Sequence, residues 1–100
     1  MTSLSEAFNA VKHYTVSAST TTTATAIPAG HGDVRIVNAS AGVLFWRADP
    51  TAIAATSADC AMLPGSVEVF HLHPEVRNIS IILIAGTASA SVYFDLGHGI

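Results

Sequence analysis

Apolar and polar positions alternate with a period of two through most of this chain. Residues 33–38 (DVRIVN) place Val34, Ile36 and Asn38 on one face and Asp33, Arg35 and Val37 on the other. Residues 66–72 (SVEVFHL) set Val67, Val69 and His71 against Glu68, Phe70 and Leu72. Successive side chains of a strand point to opposite faces, so both segments read as strands. Residues 78–85 (NISIILIA) are nearly all apolar after Ser80, the pattern of a central strand covered on both faces. Residues 43–48 (VLFWRA) and 89–96 (SASVYFDL) return from small-residue hairpins, and residues 60–63 make a short strand. The Thr-rich run 13–27 adds one or two more, because Thr and Val suit a pleated surface. Turns are marked at residues 28–32, 64–65 and 86–87, with an irregular connection at 49–59 and a tail at 97–100. The elements predict an all-β fold, a compact antiparallel β-sandwich or jelly-roll-like barrel of about seven to eight strands.

The start of the chain departs from this period. Ser3 and Glu6 have capping-box spacing, and Leu4, Ala7, Phe8 and Val11 follow helical spacing. Residues 1–12 are therefore expected to form a short helix or an extended arm that orders on a neighbour. Residues 13–100 are expected to form the single β-domain.

Composition narrows the function. One hundred residues make one domain. Only 11 % are charged, and the net charge is −3. Four basic residues (Lys12, Arg35, Arg47, Arg77) cannot build a phosphate-binding face, which excludes nucleic acid as the expected partner. The longest aliphatic run, 81–85, is far short of a membrane span, and no signal-peptide pattern opens the chain. Cys60 is the single cysteine, so no intrachain disulfide is expected. Seventeen alanines and twenty Ser or Thr residues must cover much of the surface. A charge-poor surface of this kind suits burial against a neighbour, since interface cores are depleted of charge.

Candidate chemistry is sparse. His71 and His73 sit two apart, the spacing that puts two imidazoles on one strand face, and they are the weak candidates for metal ligation. Residues 65–73 read G-x5-H-x-H, which resembles the opening of the first cupin motif. The resemblance then fails, because Glu75 comes too early and Ile82 stands where a glycine belongs. The other reading is two histidines near a strand rim. No metal, cofactor or catalytic group is therefore assigned. Cys60 lacks a nearby cation in sequence and reads as a small buried hydrophobe. Residues 43–46 put four bulky apolar side chains in a row. Either the sandwich covers both faces, or Phe45 or Trp46 anchors a contact with Arg47 at its rim. Leu4 and Phe8 complete the set of interface candidates.

The second half carries a wider resemblance. L-P-G-S-V-E-V-F at 63–70, N-I-S-I at 78–81, the hairpin A-G-T-A-S at 85–89, V-Y-F at 92–94 and G-H-G-I at 97–100 follow V-R-I-V-N-A-S-A-G-V-L-F-W-R at 34–47. This succession resembles small capsid decoration, or cement, proteins of tailed phages and prophages, over residues 27–100. The resemblance implies a non-enzymatic virion protein, made in the host bacterial cytoplasm and located on the capsid surface. Its implied partners are the major capsid protein and itself, with a homotrimer favoured and a dimer possible. The family has no catalytic residues to carry over. The alternatives are another small phage structural β-module (head–tail, tail or fibre-associated) and, third, a cupin-like metal-binding barrel.

Overall fold

The computed structural model describes residues 9–28 and 32–98, with side chains at 12–28 and 32–97. Its elements are eight strands: β1 (Asn9–Ala18), β2 (Thr23–Ala26), β3 (Asp33–Asn38), β4 (Leu44–Asp49), β5 (Cys60–Met62), β6 (Val67–His71), β7 (Asn78–Leu83) and β8 (Ala90–His98). They form two four-stranded antiparallel sheets, ordered β1-β8-β3-β6 and β2-β7-β4-β5. The all-β sandwich that the alternation predicts is the architecture observed.

The pairing is nested. β1 pairs with β8, β2 with β7, β3 with β6 and β4 with β5. The chain thus runs as one long hairpin that rolls over, and β3 pairing with β8 and β4 with β7 closes each sheet. Inward positions alternate as the sequence dictates. Val16, Ala18, Val34, Ile36, Val92, Phe94 and Leu96 face the core from the first sheet. Leu44, Trp46, Met62, Ile79, Ile81 and Leu83 face it from the second. Ile27, Leu72 and Val76 close the end of the sandwich near the start of β3. Each Val, Leu, Ile, Phe or Met among them contributes roughly 1.5–3 kcal/mol when fully buried.

The opposite end is held by Asn38, a polar residue at an inward position and fully buried. Its Nδ2 donates to the carbonyls of Gly42, Met62 and Leu63, and its Oδ1 accepts from the Ser40 amide and hydroxyl. It ties the β3–β4 hairpin to the β5–β6 turn. Gly42 of that hairpin lies against Thr87 of the β7–β8 turn, where a Cβ would come within 2.0 Å of the Thr87 Oγ1. Gly65 and Gly86 take positive φ in the two turns, 75° and 88°.

Two boundaries differ from expectation. β1 begins at Asn9, so residues 9–12 are strand and no helix runs through them. The pull is tertiary, since β1 pairs with β8 from Asn9 onward, with a register shift between Ala10 and Lys12. Residues 1–8, including Leu4 and Phe8, lie outside the described residues. At the other end, Gly97 and His98 belong to β8 rather than to a tail, because they pair with β1.

Candidate functional site

Three regions bring chemistry together. The first is the outer face of the β1-β8-β3-β6 sheet. His13, Asp95 and Arg35 stand opposite one another on β1, β8 and β3. The Asp95 carboxylate accepts from His13 Nδ1 at 2.5 Å and from Arg35 Nη2 and Nε at 2.6 and 3.1 Å. Burial alone would raise this carboxyl's pKa. The hydrogen bonds and charges of His13 and Arg35 outweigh burial and hold it below its usual value. With Nδ1 donating to Asp95, a neutral His13 presents Nε2 as acceptor to the Thr15 hydroxyl, 3.3 Å away. Tyr93 stacks on the imidazole at 5.9 Å.

Hydroxyl, imidazole and carboxylate in this order are the parts of an acyl-transfer relay. Here His13 and Thr15 stand exposed on an open sheet, and Arg35 occupies the carboxylate with two donors. The row acts as a cross-strand tie over three strands. Nothing local in the sequence announces it, because His13 and Asp95 are 82 residues apart.

The second region is a cleft of about 450 Å³ lined by Trp46, Arg47, Asp59, Cys60, His71 and His73, among others. His71 and His73 do share this cleft, but not as a ligand pair. β6 ends at His71, so the strand alternation stops before His73. His71 Nδ1 bonds Asp33 Oδ1 at 2.9 Å, and His73 Nδ1 accepts the Glu75 amide at 3.1 Å. Among the described residues, no group of three His, Cys, Asp or Glu side chains is placed to hold a metal ion. Cys60 is exposed, contrary to the buried position expected.

Trp46 faces inward, 7 % exposed, and packs on Phe70 with ring centroids 4.5 Å apart. It is core rather than an exposed anchor, and its indole N–H is buried without a hydrogen-bond partner. Arg47 is not a free rim charge. It donates to Asp49 at 2.6 and 3.1 Å and lies 3.8 Å from Asp59.

The third region is the outer face of the β2-β7-β4-β5 sheet. The connection from β4 to β5 crosses it, and the Ala55 amide donates to Thr22 Oγ1 just before β2, at the far edge. Ser80 is outward-facing yet 1 % exposed, and Ala55 is 3 % exposed. This crossing is the cover on the second side of β7 that the apolar run predicts. Beyond it lies an open groove of about 480 Å³ lined by Thr20, Phe45, Ala55, Ile82, Ile84 and neighbouring small residues. Phe45 is the one member of the 45–47 trio that faces outward into an apolar surface. No protein-family model, no curated protein and no solved structure matches this chain.

Proposed function

We propose that this chain is a structural virion protein, a capsid decoration protein that binds a phage head lattice and stabilises it. One observation carries the reading: in a chain only 11 % charged, Arg35, Arg47 and the aspartates spend their charges in pairs within the molecule. All four aspartates are paired, Asp33 with His71, Asp49 and Asp59 with Arg47, and Asp95 with Arg35 and His13. Exposed apolar side chains remain at Ile53, Leu63, Val67 and Ile84. Such a surface gains by being covered.

The fold agrees with that role. Two four-stranded antiparallel sheets packed as a sandwich make a rigid body suited to repeated use on a lattice. The resemblance over residues 27–100 points the same way. Many weak contacts made at once suffice for a multimeric cement, with a trimer or dimer matching a lattice axis. The cupin-like alternative loses the observation it rested on, since His71 and His73 do not form a pair of ligands on one strand face.

The test is co-sedimentation of the purified chain with heads assembled from the major capsid protein of the same genome. Saturable binding at a fixed ratio to capsid subunits, with heads that survive higher temperature, is expected. Heads that sediment without the chain would contradict the reading.

A further inference from the structure

The groove on the second sheet has no charged lining residue and lies beside the end of β1, far from where β1 begins. Its members Thr20, Leu83 and Ile84 flank that end, and the Leu83 amide donates to Ser19 O there. Phe45 and Ile82 form its floor as cross-strand partners, half-buried, with Ile84 42 % exposed at its rim. At about 480 Å³ it falls within the roughly 300–1,000 Å³ that holds small apolar groups.

We propose that this groove receives Leu4 and Phe8 of a second copy of the chain. The apolar segment that matches it precedes Asn9 in the chain, at the other end of β1. β1 has ten residues and so spans about 30 Å. Leu4 lies five residues before Asn9, a reach of about 17 Å at most. Phe8 is adjacent to Asn9 and reaches less far. Neither side chain can fold back to the groove of its own copy, so a neighbour must supply it.

The spacing of the pair suits one groove. Positions four apart share a face in a helix and also in an extended strand, so both side chains can enter together in either form. Glu6 is the one charge between them. Donor and acceptor surfaces differ, so two copies can exchange the segment across a twofold axis, or several can pass it round a closed ring.

Edge pairing, the rival route to association, is blunted. Lys12 and Glu68 sit at inward positions on the two edges of the first sheet, β1 also carries a register shift, and the edges of the second are four and three residues long. The proposal goes beyond the decoration reading, because it concerns the contact between copies and needs no capsid.

Native mass spectrometry of the full chain, of a chain lacking residues 2–8, and of Phe8→Asp and Ile84→Asp tests it. The full chain is expected as an oligomer and the three variants as monomers with unchanged far-ultraviolet dichroism. A blocked synthetic peptide of residues 1–9 should bind the shortened chain saturably, and Ile84→Asp should weaken it roughly tenfold or more, the loss of one apolar contact. A monomeric full chain, an oligomer that survives truncation, or a peptide that binds both versions equally would overturn the proposal. Failure to bind heads by a chain that passes these tests would instead count against the decoration reading.

Discussion

The two sheets solve the same problem with different means. The first has long strands at its centre and edge, and its outer face sets His13, Asp95 and Arg35 beside Val37, Val67 and Val69. Its strands are tied across that face by the His13–Asp95–Arg35 row and the Asp33–His71 pair. The second has short edge strands and an outer face that is polar at Arg47, Asp49 and Ser80 and apolar at Phe45 and Ile82, and the residues between β4 and β5 are drawn over it. Arg47 with Asp49 and Asp59 braces the two ends of that crossing. The first sheet therefore completes itself, whereas the second is completed by added chain, and only in part. What is left open is the groove at Phe45 and Ile82.

The largest effect is expected where the sheets are joined. Asn38→Ala removes a donor from the carbonyls of Gly42, Met62 and Leu63 and the acceptor of the Ser40 amide and hydroxyl. A loss of about 3 kcal/mol in urea unfolding is expected, since each buried unsatisfied group costs about 1–3 kcal/mol. A loss under about 1 kcal/mol would show that the sheets hold without this hub.

Next comes the first sheet's own tie. Asp95→Ala removes an 8 % exposed carboxylate side chain from His13 and Arg35. About 1.5–3 kcal/mol should go, the range for hydrogen bonds to charged groups. The pH dependence has a definite sign. The folded pKa lies below the usual value, so the stabilisation is present above about pH 4 and disappears as pH falls through the folded value. Acid titration of wild type and Asp95→Asn should diverge above pH 4 and converge below it. Parallel curves would show that the row contributes nothing.

On the second sheet, Thr22→Val removes the acceptor for the Ala55 amide. About 1 kcal/mol is expected, with faster hydrogen exchange confined to residues 50–58. Exchange that rises over the whole sheet instead would mean that the crossing is part of the core. The smallest effect belongs to His71→Ala. Its side chain is 79 % exposed, so a change within about 0.5 kcal/mol is expected despite the ion pair with Asp33.

Much of this fold is legible in the sequence, because burial on one face imposes a period of two. β3 falls on the six residues that alternation marks, and β6 keeps Val67, Val69 and His71 on one face as expected. The ends are less legible. Residues 9–12 carry a helix-like pattern, and pairing with β8 overrides it. The second cover of β7 is legible as a need but not in its source, since nothing in residues 50–59 announces a crossing. Trp46 illustrates the limit on site residues. A run of four bulky apolar positions says that both faces are covered, but not which side chain meets the core and which meets a neighbour. The Asp95 row is invisible before folding, because its members come from the two ends and the middle of the chain.

The division between a self-completed sheet and an open one is tested most directly by hydrogen exchange on the full chain and on the chain lacking residues 2–8. The account predicts that the full chain exchanges more slowly at residues 53–57 and 84–85, around the groove, and equally at 13–17 and 91–95. Identical exchange at the groove, or protection that appears on the first sheet's outer face instead, would contradict it.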